Sequence, residues 1–247
     1  MTVTNHTALY RFNFPPNETR TSYSPLILAD LTDLADSRTN GSIAVDESTG
    51  RITGNGTFSP SFGVGVYTLH FCADFKGAEL RDTGVFMNNR AGNSTKSVVT
   101  YVDGNNSPPA PAGAWVRFQR PESNQILARV GVSFFNADQA CRNAEAEIED
   151  FDFERVREDA EEAWRTKLGV VSVDSTGIDK SLQRTFWSGI YRSFLSPQDY
   201  TGQPPLCPSK TKYADIIQAK TPSGRVMSRT LTRTTVSGTA SEAPTLS

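Results

Sequence analysis

The side chains best suited to contact a bound ligand lie on and just after an aromatic-rich stretch at 185–202. Asp199 and Tyr200 follow its predicted helical end, where a carboxylate and a phenol could face a pocket. Trp187, like Trp115, has a flat ring that could stack against the C–H surface of a sugar. Each residue also has a structural interpretation, as a turn carboxylate or a packed ring. Asp199, Tyr200 and Trp187 are therefore candidate substrate-binding residues, and no residue is assigned to catalysis.

Two groups of carboxylates predict neither a catalytic pair nor a metal site. Asp30, Asp33 and Asp36 lack the glycine and the terminal glutamate of an EF-hand loop, so turn and surface positions are the simpler expectation. The second group is an acidic run that a solvated helix face and a helix cap explain. It consists of Glu145, Glu147, Glu149, Asp150 and Asp152. The sequence also lacks the motifs typical of nucleotide binding and of serine hydrolases.

The cysteines and the second histidine are expected to be structural. Cys72, Cys141 and Cys207 are widely separated, and no C-x-x-C pair indicates a zinc site or a thioredoxin-type motif. We therefore expect buried apolar thiols. His70 lies within a predicted strand without an evident serine or aspartate partner, which favours a hydrogen-bonded structural histidine.

Composition and charge exclude two classes of partner. The 247 residues carry a net charge of −2, whereas binding to nucleic acid or to an anionic membrane needs a concentrated basic surface. No run of residues is apolar over the ~18 positions that a membrane span needs. The length allows one large or two smaller domains, and a hydrophobic content of 37% is sufficient for a core. Oligomeric state is left open.

The amino-terminal residues do not resemble a signal peptide, because they lack an apolar segment and lead directly into a strand-like pattern. Taken as given, the chain is therefore expected in the cytosol. Several N-x-[ST] sequons nevertheless permit a secretory history. They include those at Asn5, Asn17, Asn40, Asn55 and Asn93.

Short runs of alternating apolar residues, separated by Gly, Pro and Asn, precede residue 136 and predict a large β-sandwich. The segments 42–46 and 51–58 predict a hairpin in which Gly50 supplies a positive φ. The segment 64–75 is apolar on both faces, which predicts a central strand. The run 26–31 is apolar enough to be fully buried.

The hydrophobic period changes to three or four residues after Asn136. Asp138 is the predicted cap of a first helix, and Asp152 is the predicted cap of a second helix that ends at Gly169. We expect these helices, within 137–173, to lie against the sandwich as a linker.

A third helix is predicted over the aromatic-rich stretch, and it should end at Ser196 because Pro197 follows. Its apolar residues cover more of its girth than contact with one sheet requires, so we expect it to have neighbours on several sides. From Cys207 onward the sequence is rich in Ser, Thr, Lys and Arg without a sustained apolar period, which predicts a disordered tail over 207–247.

Four stretches of the sequence are specific enough to indicate a family: 186–193 (FWSGIYRS), 196–202 (SPQDYTG), 70–79 (HFCADFKGAE) and 126–134 (ILARVGVSF). In these stretches the chain resembles glycoside hydrolase family 92, the calcium-dependent α-mannosidases, and in particular the fungal members. The resemblance covers residues 2–206 and implies a mainly β chain with three parts before the tail. These are a β-supersandwich over 1–136, a helical linker over 137–173 and, over 174–206, the first helix of an (α/α)6 barrel.

The resemblance also implies the chemistry of intact members. It implies exo-acting hydrolysis of α-mannosides on N-glycan-type chains with inversion, which requires two carboxyl groups about 6.5–9.5 Å apart. A bound Ca²⁺ with oxygen ligands is implied as well. The family's acid, base and calcium ligands lie further along the barrel, and the Trp- and acid-rich segment typical of fungal members does not follow Gly202. The chain is therefore expected to be an N-terminal fragment that is inactive alone.

Two other interpretations stay open. The chain could be a stand-alone β-sandwich that binds carbohydrate or another protein, or it could be the product of a pseudogene. The exposure of the third helix distinguishes a stand-alone module from a fragment of an enzyme. An exposed third helix favours the fragment, whereas a helix buried against the sandwich favours the stand-alone module.

Overall fold

The computed structural model describes residues 1–15, 24–32, 37–60, 65–102 and 109–195. Within these ranges the strands are β1 (Thr2–Val3), β2 (Thr7–Asn13), β3 (Leu26–Asp30), β4 (Arg38–Val45), β5 (Ile52–Phe58), β6 (Tyr67–Lys76), β7 (Leu80–Met87), β8 (Arg90–Gly92), β9 (Ser97–Tyr101), β10 (Ala112–Phe118) and β11 (Gln125–Ser133). The helices are α1 (Ala137–Glu147), α2 (Phe153–Leu168) and α3 (Lys180–Leu195). Strands followed by helices confirm the predicted mainly β class.

In the described part of the chain, two antiparallel sheets form a sandwich. The larger sheet has the strand order β1-β2-β11-β6-β5-β4-β9, and the smaller has the order β3-β10-β7-β8. The core between them is built from the inward positions of alternating strands, among them Ile43, Ile52, Val116, Phe118 and Ile126. Strand β6 lies between β11 and β5, which confirms the prediction of a central strand.

The smaller sheet corrects one prediction. Strand β3 lies at the edge of that sheet and pairs with β10. Ile27 is buried in the sandwich core, whereas Leu26 and Leu28 are exposed on the opposite face. The expectation that the run 26–31 is fully buried is therefore wrong, because within the described ranges no second sheet covers the outer face of this layer.

The turn between β4 and β5 confirms the predicted hairpin, since Gly50 has a φ of +74°. The Asp46 carboxylate closes this turn by accepting hydrogen bonds from the hydroxyl of Ser48 (2.6 Å) and from the amide of Thr49 (2.7 Å). These bonds, that of the Ser48 hydroxyl first, lower the pKa of Asp46 to about 2.

Replacing Ser48 by alanine is expected to raise the pKa of Asp46 towards its ordinary value. Since the folded pKa lies below the unfolded value of about 3.9, the turn bonds stabilise the fold above about pH 4 and are lost as the pH falls through about 2. Carbon-13 titration of the Asp46 carboxyl measures the shift. Ser48→Thr keeps the hydroxyl and is the control that should retain the low pKa; an unchanged pKa in Ser48→Ala would contradict the assignment.

The first two helices begin with side-chain caps. The side-chain oxygen of Asn136 accepts a hydrogen bond from the amide of Gln139 (2.7 Å), so Asn136 caps α1 and the prediction of Asp138 is wrong. Asp138 lies in the first turn instead, where its charge suits the helix dipole. Asp152 caps α2 through the amide of Arg155 (3.0 Å), as predicted.

Helix α1 lies directly on β11 at Gly131. A Cβ atom at this position would meet the carbonyl oxygen of Ala140 and would lie 2.8 Å from the Cβ of Ala144. Gly131→Ala is therefore expected to lower the free energy of unfolding by about 2 kcal/mol, because the helix backbone must shift off the sheet. Gly92→Ala, where no atom lies within 4 Å of the added Cβ, is the matched control in urea unfolding. Equal effects of the two substitutions would contradict the close packing.

A disulfide joins Cys72 of β6 to Cys141 of α1, whose Cα atoms lie 5.0 Å apart. The expectation that these two are isolated buried thiols is wrong. No motif could indicate the pair, because 69 residues separate the cysteines and only the position of α1 on the sheet brings them together. Disulfides persist in oxidising compartments, which is at odds with the cytosolic expectation.

Candidate functional site

Helix α3 carries the aromatic residues that the sequence singled out. It starts after Asp179, whose carboxylate accepts hydrogen bonds from the amide of Ser181 (2.9 Å) and from the hydroxyl of the same residue. These bonds, that of the Ser181 hydroxyl first, lower the pKa of Asp179. A carboxylate at this place satisfies an amide that has no partner within the helix.

No residue of α3 is buried. Its large apolar side chains are exposed: Leu182, Phe186, Tyr191, Phe194 and Leu195. The leucine at position 182 has a relative exposure of 61%, although leucine belongs to the residue types most often found in cores. The described part of the chain therefore leaves the apolar surface of α3 largely uncovered, and it does not supply the neighbours that the sequence predicts on several sides of the helix.

Trp187 is half-buried, and the ring of Phe186 lies edge-on to it with 5.3 Å between the ring centroids. Tyr191 contacts α2 through Trp164, at a centroid distance of 4.7 Å. The other two candidates, Asp199 and Tyr200, lie outside the described residues, as does the tail over 207–247. A shared role of the three candidates in substrate binding therefore stays a prediction.

A largely buried charged group lies between the larger sheet and α1. Asp74 accepts hydrogen bonds from Arg51 (2.6 Å) and from Arg129 (3.0 Å). Arg129 also donates to the carbonyl oxygen of Ile148 (2.6 Å), and its guanidinium lies 4.7 Å from the centre of the Phe151 ring. The group ties β6 and β11 to the end of α1 and serves the fold.

Two glutamates of the acidic run form hydrogen bonds with residues outside α1. Glu145 accepts a hydrogen bond from Arg51 at 2.6 Å. Glu147 accepts from the amide of His6 at 2.9 Å, lies 2.7 Å from its ring nitrogen and also accepts from the hydroxyl of Thr4. The interpretation of a solvated helix face is too simple for these two glutamates, since they join α1 to the rest of the sandwich.

The pKa shifts of the carboxyl groups all have one direction. Six described carboxyl groups have a lowered pKa, caused chiefly by hydrogen bonds to the ionised form: Asp46, Asp82, Asp150, Glu154, Asp174 and Asp179. An acid that protonates a glycosidic oxygen needs a raised pKa. None of these six lowered pKa values is a shift of that kind.

The described residues contain no cluster of three or more His, Cys, Asp or Glu side chains that could hold a metal ion. The Nδ1 atom of His70 is buried and has no hydrogen-bond partner in that part of the chain, so the expected hydrogen bond is not found at this atom. None of the described helices is long and apolar enough to cross a membrane.

Trp115, the remaining aromatic candidate, lies on the outer face of the smaller sheet. With Phe86 it lines an open groove of about 590 Å³. The ion pair between Asp82 and Arg117 lies along the same groove. Trp115 is therefore not part of the sandwich core. It lies on β10, whereas the candidate Trp187 lies on α3.

Comparison with known proteins agrees with this architecture. The profile of the glycosyl hydrolase family 92 N-terminal domain matches residues 1–133. The profile of the family 92 catalytic domain matches residues 139–225, so it starts within α1 and extends past residue 206. An uncharacterized secreted glycosidase of Arthroderma benhamiae is 51% identical over 220 residues, which are 87% of this chain and 28% of that protein.

Solved structures show the same fold. A family 92 glycosyl hydrolase matches with a TM-score of 0.63 and 22% identity, over 79% of this chain and 24% of the other. The family 92 inverting mannosidase of Bacteroides thetaiotaomicron matches with a TM-score of 0.60 and 21% identity, over 78% and 23% of the two chains. The chain thus spans about a quarter of the length of the relatives that it matches. On the family profiles and on its similarity to the fungal glycosidase, the chain belongs to glycosyl hydrolase family 92.

Proposed function

We propose that this chain is the amino-terminal part of a secreted family 92 exo-α-mannosidase. The sandwich over 1–136 and the linker over 137–173 would support the catalytic barrel, whose first helix lies within 174–206. The observation that carries the proposal is the uncovered apolar surface of α3. A helix that is apolar over most of its girth is stable only when other elements pack around it.

Gly189 supports the same assignment. A glycine inside a helix costs about 1 kcal/mol relative to alanine, and an interior glycine usually has a packing reason. No atom lies within 4 Å of a Cβ built on Gly189, so the described residues offer no such reason. Close approach of a second barrel helix to α3 would supply one.

Two solved relatives support an α-mannoside as the class of substrate. One solved relative is an inverting mannosidase, and another family 92 α-mannosidase of Bacteroides thetaiotaomicron was solved with mannoimidazole. The intact protein would remove terminal α-mannosyl residues from N-glycan-type chains with inversion. No group of three or more His, Cys, Asp or Glu side chains among the described residues could hold a metal ion, so no step is assigned to Ca²⁺.

Secretion is part of the proposal, and two observations support it. The disulfide between Cys72 and Cys141 suits an oxidising compartment, and the relative from Arthroderma benhamiae is named a secreted glycosidase. The alternative of a stand-alone binding module is less well supported, because such a module would have α3 packed against the sandwich.

Hydrolysis of an aryl α-mannoside tests the proposal. The purified chain alone should show no turnover, with calcium or with a chelator. Addition of the remaining barrel of the Arthroderma benhamiae relative should restore calcium-dependent turnover. Turnover by the chain alone would show that its catalytic groups lie within it and would contradict the fragment assignment.

Substitutions on α3 make the test specific for docking. Phe186→Asp places a charge on the exposed apolar surface and should abolish the restored turnover, whereas Arg184→Gln on the same helix should retain it. Circular dichroism and a urea titration would show that both variants keep the folded sandwich. Equal restoration by the two variants would contradict a role of α3 in assembling the barrel.

A further inference from the structure

The outer face of the smaller sheet carries a flat aromatic platform. Trp115 of β10 lies opposite Gly84 of β7, and Phe86 of β7 lies opposite Gly113 of β10. A Cβ at Gly84 would lie 2.5 Å from the indole ring, and a Cβ at Gly113 would lie 2.6 Å from the phenyl ring. Each ring therefore lies across a glycine of the neighbouring strand, and together the two rings form the floor of the groove.

The walls of the groove are partly apolar and partly polar. Leu26 and Leu28 of β3 flank the platform and are about half exposed. On another side the groove is lined by Asn88, Asn89 and Asn93, which lie around β8. Flat aromatic rings beside amide groups suit a sugar, whose C–H face packs on the ring and whose hydroxyl groups bond to the amides.

Asn93 is also the acceptor of a sequon, which continues with Ser94 and Thr95. It is exposed and lies in the connection between β8 and β9 rather than within a strand. By contrast, Asn55 lies within β5 and its side-chain amide donates a hydrogen bond to the hydroxyl of Ser42 (2.7 Å). Among the sequons that the structure describes, only that of Asn93 borders the groove.

We propose that Asn93 is N-glycosylated and that the first sugars of its glycan lie on the platform of Trp115 and Phe86. The transfer forms a bond between Nδ2 of Asn93 and the anomeric carbon of the glycan. It breaks the bond from that carbon to the diphosphate of a lipid-linked oligosaccharide donor, and the lost amide proton leaves with the lipid diphosphate. Among the described residues no second layer packs on this face of the sheet, and the glycan then covers part of its apolar surface. The proposal rests on the secretion proposed above.

Glycopeptide mapping tests the modification. The full chain is produced in yeast behind an added secretion leader, so the outcome does not depend on the native compartment or on mannosidase activity. We expect glycan on the Asn93 peptide, its loss in Asn93→Gln and Thr95→Ala, and an unchanged Asn93 peptide in the control Asn55→Gln. An unmodified Asn93 peptide in the secreted chain would overturn the proposal.

Fluorescence tests the position of the glycan. In a Trp164→Phe, Trp187→Phe background, Trp115 is the remaining tryptophan, since the chain has three. Acrylamide quenching of Trp115 should stay low after an endoglycosidase trims the glycan to its first sugar and should rise after a peptide N-glycosidase removes it. Val99→Ala, at an exposed residue of β9 that does not line the groove, is the control and should retain this difference. Equal quenching in the trimmed and stripped proteins would show that the glycan extends into solvent.

Discussion

Replacing Cys141 by alanine is expected to lower the free energy of unfolding by about 4 kcal/mol. The disulfide closes a loop of 69 residues between β6 and α1, and opening this loop restores conformational freedom to the unfolded chain. The loss is a large part of the 5–15 kcal/mol or so by which a domain is usually stable. Urea unfolding under non-reducing conditions measures it.

Two measurements separate the lost bond from lost packing. The double variant Cys72→Ala, Cys141→Ala should be about as unstable as either single variant, because all three lack the same single disulfide. Two independent thiols would instead give losses that add. The denatured, unreduced chain should also contain one reactive thiol, since two of its three cysteines are joined. Three reactive thiols would contradict the disulfide.

Asp74→Ala is expected to lower the free energy of unfolding by about 3 kcal/mol. The Asp74 side chain is only 13% exposed and that of Arg129 only 11% exposed, so removal of the carboxylate leaves a mostly buried guanidinium without its counter-charge. Arg51 loses the same partner. Thermal or urea unfolding of the variant measures the effect.

Asp82→Ala is the matched control for this prediction. Asp82 also binds an arginine across two strands, but the side chains of Asp82 and Arg117 are 26% and 38% exposed. Water can replace the lost contact there, so we expect a loss of about 1 kcal/mol or less. A second variant, Asp74→Ala with Arg129→Met, should recover part of the stability because it removes the unpaired charge. No recovery would contradict the argument from buried charge.

Much of the fold could be predicted from local patterns. The central position of β6 followed from its two apolar faces, and the cap of α2 followed from Asp152 ahead of a periodic helix. Strand β7 was not predicted, since Asp82 and Thr83 put polar groups on both of its faces and the alternation is lost. Asn136 and Asp138 are both good caps, and only the backbone shows which of them starts α1.

The contacts that join the strands and helices to one another link residues that are far apart in the sequence, so local patterns do not predict them. Neither the pairing of Cys72 with Cys141 nor the convergence of Arg51 and Arg129 on Asp74 has a local signature. The aromatic platform is a similar case, because Trp115 and Gly84 become neighbours only through the register of β10 and β7. The apolar surface of α3, by contrast, could be predicted, because the spacing of apolar residues along a helix shows which of its faces are apolar.

The strand order of the larger sheet has a consequence for how the chain is made on the ribosome. Strand β2 is held between β1 and β11, although β11 is the last of the described strands to be translated. The sheet therefore cannot close until residue 133 has left the exit tunnel, and Cys72 must wait for Cys141. Domains generally fold as units during synthesis, amino-terminal ones first. A nascent chain would thus complete and oxidise the sandwich in one late step, and α3 would emerge next to a finished support.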